Sequence, residues 1–237
     1  MRPYHTLPID ANTLAYWRPG ERLSWLDQSG HGVDLTPVNG ATLSPDGMEV
    51  ARASSQYATV TDDGLNLRAI GATEVTLECW FRLASLPGDA EDWGLCCQST
   101  TTHISIARSG ATYSLKGRFK EYLANDLWLS HDFTPVVGQL YAVRLTWKRT
   151  VGAWLYLDGA QVDENLATNG SGPATNSGLF RVGMLTGGGT YFNGLIDEVC
   201  LSRTLRCTTD YVPRRFTEGR RLVPRGPGLA WTPGLVA

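Results

Sequence analysis

Strict alternation of apolar and polar residues is the feature that most constrains this chain. In Val75-Thr-Leu-Glu-Cys-Trp-Phe-Arg-Leu83, the side chains of Val75, Leu77, Cys79, Phe81 and Leu83 fall on one side of an extended backbone. Thr76, Glu78, Trp80 and Arg82 fall on the other. A helix would scatter these apolar positions around its circumference, whereas a strand lines them up on one face. Tyr141, Val143, Leu145 and Trp147 repeat the pattern. In the segment after them Ala153, Leu155 and Leu157 face inward and leave Trp154 and Tyr156 outward. Trp17, Trp25 and Trp147 are expected in the core.

Turn residues punctuate these runs: Pro45-Asp46-Gly47, Pro87-Gly88, Ser109-Gly110 and Asp158-Gly159. Asp158-Gly159 after an alternating strand predicts a tight hairpin, since glycine tolerates the positive φ such turns need. No helical period lasts a dozen residues; only Thr208 to Tyr211 reads as a short helical turn. Short strands at intervals of roughly 8 to 12 residues predict an all-β chain, a two-sheet antiparallel β-sandwich of the jelly-roll kind.

A sandwich of 237 residues fits one domain. The expected division is an N-terminal extension over 1–8, a sandwich over 9–211 and an extended, basic, Pro/Arg-rich C-terminal arm over 212–237. Proline removes backbone donors, so the arm is not expected to hold regular structure. Arg214, Arg215, Arg220, Arg221 and Trp231 are its candidate partner-binding residues. The net charge of −2 gives no general attraction to nucleic acid or to an anionic membrane. No apolar run approaches the roughly 18–20 residues of a membrane span, and the N-terminus lacks the apolar core of a secretory signal. Of the five cysteines, Cys79 reads as a small buried hydrophobe. Cys200 and Cys207 read either as a bridge across a short loop or as two free thiols.

An ordered series of motifs from Ile9 to Tyr211 carries a family resemblance. It comprises Asp10-Ala-Asn-Thr-Leu-Ala-Tyr-Trp17, Trp25-Leu-Asp-Gln-Ser-Gly-His-Gly-Val-Asp34, Gln56-Tyr-Ala-Thr-Val60 and Thr76-Leu-Glu-Cys-Trp-Phe81. Leu155-Tyr-Leu-Asp-Gly159 and Phe192-Asn-Gly-Leu-Ile-Asp-Glu-Val199 complete it. Together they resemble the laminin-G-like, concanavalin A-like (pentraxin-type) jelly rolls found in lectins, carbohydrate-binding modules and phage structural proteins. The resemblance implies two packed sheets, one concave on its outer side, and a module that binds rather than transforms. Some such domains carry calcium at the rim, and Asp27, Asp34 and Asp197 are the matching acidic positions; the alternative is that Asp27 caps the Ser29-Gly30 turn and Asp197 accepts backbone donors.

Catalysis is not expected. A glycosidase needs two carboxylates roughly 5–10 Å apart across a sugar. Glu74 and Glu78 share a strand face but have Thr76 between them, and alternation sends Asp197 and Glu198 to opposite faces. The histidines, His5, His31, His103 and His131, are scattered. Aromatic faces stack on sugar rings, so the outward Trp80, Trp154 and Tyr156, with Glu78 and Arg82, form a candidate glycan platform. The alternative for these residues is packing beneath a loop or against the C-terminal arm. The functional expectation is a non-enzymatic component of a virus particle, a phage tail or capsid-surface protein contacting protein subunits or glycans. The alternative is a lectin or carbohydrate-binding module of a bacterial surface or secreted protein.

Overall fold

The computed structural model describes residues 4–5, 9–18, 25–60, 72–98, 102–121, 125–173, 179–185, 190–207 and 209–213. Its strands are β1 (Tyr4–His5), β2 (Thr13–Trp17), β3 (Thr36–Val38), β4 (Thr42–Ser44), β5 (Gly47–Val50) and β6 (Tyr57–Thr59). There follow β7 (Glu74–Leu83), β8 (Asp92–Gln98), β9 (Thr102–Ser109), β10 (Thr112–Lys120) and β11 (Asp126–Phe133). Next are β12 (Leu140–Lys148), β13 (Gly152–Leu157), β14 (Ala160–Asn165), β15 (Phe180–Val182), β16 (Met184–Leu185) and β17 (Thr190–Tyr191). The last two are β18 (Gly194–Ser202) and β19 (Val212–Pro213). Among the described residues the helical structure is a 3-10 turn at Arg52–Ser54. Residues 209–213 are not helical, which corrects the expected turn before Tyr211.

Two antiparallel sheets form the sandwich. The seven-stranded sheet has the order β11-β10-β9-β8-β15-β6-β3. The eight-stranded sheet has the order β14-β13-β12-β7-β18-β5-β4, with β2 also paired to β18. The chain passes repeatedly from one sheet to the other, as a jelly roll does.

The alternating residues fill the space between the sheets. Val75, Leu77, Phe81, Leu145 and Leu155 from one sheet meet Leu95, Ile104, Ile106, Leu115 and Leu127 from the other, all buried. Burying each such side chain contributes about 1.5–3 kcal/mol. Phe119 of β10 stacks on Trp147 of β12 across the interface, with ring centroids 4.6 Å apart. Gly117 takes an inward position between Leu115 and Phe119; a Cβ there would come within 3.0 Å of Leu145, so the small residue admits the facing leucine. Trp17 and Trp147 are buried, and each indole N–H is satisfied, by the Val33 carbonyl (2.7 Å) and the Glu121 carboxylate (3.1 Å). Trp25 is partly buried and packs against the same core.

All five cysteines are buried free thiols, so Cys200 and Cys207 are not bridged. Cys200 lies against the Ser202 hydroxyl (3.6 Å), and burial raises its thiol pKa to about 12. Asp158 and Gly159 both have positive φ (49° and 81°), the backbone of the expected tight hairpin between β13 and β14.

The free edges of the two sheets, β11 and β14, are tied by side chains rather than by a ladder. Asp163 accepts from the Ser130 N–H (2.7 Å), and Asn165 donates to the Trp128 carbonyl (3.1 Å). This occupies edge groups that would otherwise recruit another strand. On the other side of the seven-stranded sheet, the β16–β17 pair lies against β8, where a Cβ on Gly94 would collide with the Leu185 backbone. Gly94→Ala is expected to destabilise the fold by about 1–3 kcal/mol, read from the denaturant midpoint; an unchanged midpoint would mean that this close approach does not occur.

Candidate functional site

The pleat gives each sheet an outer face, and the two faces differ. On the eight-stranded sheet one cross-strand row runs Tyr16, Cys200, Glu78, Arg144, Tyr156 over five neighbouring strands. The row beside it runs Thr13, Ser202, Thr76, Thr146, Trp154. These positions alternate with core residues, so they point away from the partner sheet, yet nearly all are buried. The cover is the segment that leaves β18, residues 203–207 and 209–213.

Specific bonds hold this strap down. Thr76 Oγ1 donates to the Thr204 carbonyl (2.7 Å) and accepts from the Arg206 N–H (3.1 Å). Glu74 accepts from the Leu205 N–H (3.0 Å). The Arg206 guanidinium reaches both carboxylate oxygens of Asp10, at 3.1 and 3.2 Å, and the hydroxyls of Thr13 and Ser202. Tyr211 N–H donates to the Gly159 carbonyl (2.7 Å), and Asp210 accepts from Gln161 N–H (2.9 Å). β19 then pairs in parallel with β1.

Beneath the strap lies a buried ion pair. Arg144 donates to Glu78 through Nε (2.6 Å) and stands 2.5 Å from it through Nη2. The Tyr211 ring sits 3.8 Å over the guanidinium and meets Tyr156 edge to face. Burial alone would lower the pKa of Arg144, but Glu78 beside it outweighs that and drives it up. Burial pushes the Tyr156 and Tyr211 hydroxyls up as well.

This cover overturns the geometry expected for the outward residues. Tyr156 is completely buried and Glu78 nearly so. Trp154 is half-buried against the Tyr156–Cys207–Tyr211 cluster, its N–H donating to Glu164 (3.1 Å). Trp80, also half-buried, lies one row away, paired with Ala142 and Asp197. Arg82 lies a further row away, 3.7 Å from Asp46, at an open groove of about 460 Å³ shared with Glu49, Val137, Asn193 and Leu195. The five residues therefore make no common platform. Packing against the C-terminal segment, the alternative for these aromatics, describes Trp154 and Tyr156. Arg214, Arg215, Arg220, Arg221 and Trp231 lie outside the described residues.

The acidic positions are engaged within the chain. Asp27 Oδ1 accepts from the backbone N–H of Tyr16 (3.0 Å) and Ser29 (2.9 Å), and Oδ2 from the Ser29 hydroxyl (2.6 Å). Asp34 accepts from the Asp27 N–H (2.8 Å). These bonds fasten the loop over 25–35 to β2. Asp197 sits in β18, 2% exposed. Calcium takes about six to eight oxygen ligands, and among the described residues no three His, Cys, Asp or Glu side chains are grouped to hold a metal. The side chains present do not fit a calcium cage. Alternation is also broken here: a bulge between Asp197 and Cys200 gives Glu198 a φ of 47°, and both acids are buried, Glu198 lying 4.0 Å from Arg18.

The outer face of the seven-stranded sheet is different. Trp128 of β11 alternates with the core residues Leu127 and Leu129 and is 50% exposed. Arg118 of β10 lies beside it in register, its guanidinium 4.5 Å from the indole centroid. The same guanidinium grips both oxygens of Asp126 (3.3 and 2.9 Å). His103 of β9 follows, its ring edge-on to Trp128 at 5.7 Å. In the adjacent row Lys116 stands over Ser105 and reaches Asp92 at 3.5 Å.

The floor of this face carries unpartnered polar groups. Both ring nitrogens of His103, the Ser105 hydroxyl and Asp92 Oδ1 are buried without a hydrogen-bond partner among the described residues. Such groups are uncommon in native proteins and call for a cause. Burial lowers the pKa of His103 to about 4; Asp92 opposes the shift and Arg118 and Lys116 add to it. The ring is thus neutral at ordinary pH, with one nitrogen a donor and the other an acceptor.

None of Trp128, Arg118 or Ser105 stood out among the sequence motifs. The signal was present for Trp128: Asp126-Leu-Trp-Leu-Ser130 alternates as cleanly as β7 does, with the tryptophan on the polar side.

Residues 52–206 match the laminin-G-type family model described as the concanavalin A-like lectin/glucanases superfamily. No curated protein matches the chain in sequence. Among solved structures, the receptor-binding domain of the botulinum neurotoxin mosaic serotype C/D aligns with a TM-score of 0.63 at 11% identity, covering 86% of this chain and 49% of the toxin domain. Domain 4 of AbnA, a GH43 extracellular arabinanase of Geobacillus stearothermophilus in complex with arabinotriose, aligns with a TM-score of 0.57 at 13% identity, covering 81% and 92%. The binding domain of Paraclostridial Mosquitocidal Protein 1 gives 0.62 at 13% identity, covering 83% and 50%. The chain spans about half the length of the toxin binding domains it matches.

Two outcomes test this description of the faces. Glu78→Gln leaves Arg144 buried and without its countercharge, and should lower unfolding stability by about 3–5 kcal/mol. Glu78→Leu combined with Arg144→Met should recover most of that loss, and equal loss in both variants would show that the pair is not the cause. The second outcome concerns acid. An unfolded histidine takes up its proton near pH 6.5, the folded His103 ring only near pH 4, so stability present above pH 6.5 is lost as pH falls through that window. The loss should be on the order of 3 kcal/mol, and His103→Gln should remove it; identical denaturant midpoints for wild type and variant across the window would disprove it.

Proposed function

The chain belongs to the concanavalin A-like lectin/glucanase superfamily, and from that premise we propose that it is a non-catalytic glycan-recognition module working through the outer face of its seven-stranded sheet. The observation that carries the reading is the half-exposed Trp128 indole, braced by Arg118 and edge-on to the unpartnered His103, with the unpartnered Ser105 and Asp92 in the neighbouring rows of the same sheet. An aromatic face offers a sugar ring a flat apolar contact, and nearby donors and acceptors fix its hydroxyls. The strap covers the central rows of the opposite sheet, whereas the β10–β11 end of this sheet keeps Trp128 exposed. The arabinotriose complex of the AbnA domain is in keeping with sugar recognition on such a sandwich.

The state of several carboxylates supports binding without turnover. Glu78 is paired to Arg144 and covered, Asp197 and Glu198 are buried at a bulge, and Asp126 and Asp92 face cations. A glycosidase would need two open carboxylates about 5–10 Å apart on either side of a sugar.

The reading extends to a component of a virus particle. β1 and β19 pair beside the strap, so the terminal segments meet on the covered side of the sandwich. Tethered there to neighbouring protein subunits, the module would present the Trp128 face outward.

Binding to an oligosaccharide array is the test. Trp128→Ala should weaken the strongest interaction by at least about tenfold. Its melting temperature should hardly change, because the side chain is half in solvent. Undiminished binding by this variant, or binding of no oligosaccharide by the wild type, would remove the proposal.

A further inference from the structure

We infer that the ligand of the seven-stranded face is an uncharged glycan, and that Asp126 and Asp92 are the residues that reject anionic ones. The inference rests on the glycan-binding reading and sharpens it.

The charges decide the class. Sialic and uronic acids are usually gripped by an arginine or lysine free to meet the sugar carboxylate, and a bidentate guanidinium is the strongest such grip. Here the fork of Arg118 is already filled by Asp126, and its plane lies on Trp128. Lys116 faces Asp92. The two carboxylates keep solvent exposure, 29% for Asp126 and 31% for Asp92. A sugar carboxylate seeking the Arg118 fork beside Trp128 would have to break the Arg118–Asp126 pair and then sit against the displaced aspartate, which also lies opposite Lys120 in the strand register. Like charges brought together in this way favour the wrong partner's rejection more than they change affinity for the right one.

The unpartnered groups point the same way. A neutral imidazole, a serine hydroxyl and a spare carboxylate oxygen supply donors and acceptors together. A sugar hydroxyl donates and accepts at once, so it matches this mixture without bringing charge. Trp128 supplies the apolar contact that a charged ligand does not require.

The experiment uses the full chain on two matched arrays: neutral oligosaccharides built from hexoses and pentoses, and the same cores carrying sialic or uronic acid. Wild type should bind neutral cores, lose at least about tenfold on the acidic versions, and keep its neutral affinity between roughly 0.05 and 0.5 M salt. Asp126→Asn keeps the side-chain shape and releases Arg118; it should restore binding to the acidic cores. Asp92→Asn, which releases Lys116, should shift preference in the same direction and serves if Asp126→Asn fails to fold. A wild type that prefers acidic cores, or folded asparagine variants with unaltered preference, would overturn the inference and leave the glycan reading standing. No binding to either array would overturn both.

Discussion

The buried Arg144–Glu78 pair decides which side of this molecule is available. Two charges at the centre of a sheet's outer face would be at ease in water. Here they are covered, and a covered ion pair is tolerable only when its geometry is good and its remaining groups are satisfied. The strap meets it in part, laying the Tyr211 ring on the guanidinium and packing Tyr156 and Cys207 around it, while Glu78 Oε1 and Arg144 Nη1 keep no hydrogen-bond partner among the described residues. The pair in turn gives the strap a reason to lie in one register, since few other placements would bring an aromatic face over Arg144. Such an arrangement adds specificity more than net stability, and the hydrogen bonds of Thr76, Glu74 and Arg206 hold the strap in place.

Much of the sandwich was legible because burial on one face forces period two. β7, β12 and β13 could be read residue by residue, down to which tryptophans enter the core. β8 could not. Its sequence, Asp-Trp-Gly-Leu-Cys-Cys-Gln, is buried on both sides, and a bulge at Gly94 breaks the alternation. A strand covered twice has no polar side to mark its phase. The same reasoning explains the misplaced platform. Alternation correctly sent Glu78 and Tyr156 outward, but outward is not the same as exposed when a distant segment folds back. That Arg206 would reach Asp10, Thr13 and Ser202 is a long-range fact with no local signature. Asp27 was the opposite case. Its Asp-x-Ser-Gly string contained the turn chemistry, and the carboxylate caps Ser29 as a short polar side chain in that position does.

The two sheets share one core yet present unlike exteriors, and the difference lies in what covers them. On the strapped face, the bonds run from sheet to strap and close the surface. On the opposite face, Arg118 and Lys116 are matched in pairs within the sheet while His103, Ser105 and Asp92 keep unused hydrogen-bonding capacity. A buried polar group without a partner costs about 1–3 kcal/mol. Such groups occur on both sheets, since Glu78 Oε1, Arg144 Nη1 and the Tyr156 hydroxyl are also unpartnered among the described residues beneath the strap; what distinguishes the seven-stranded face is the exposed tryptophan beside His103.

The edge of the sheet bears on this too. Trp128 lies on β11, the outermost strand, where an aromatic residue and unpaired backbone groups together would invite another strand to add. Asp163 and Asn165 remove that hazard by bonding the Ser130 N–H and the Trp128 carbonyl from β14. Both bonds run along the backbone and leave the indole clear. These two bonds occupy main-chain groups at this edge while Trp128 stays half exposed, so the fold disfavours strand addition beside the indole without covering it.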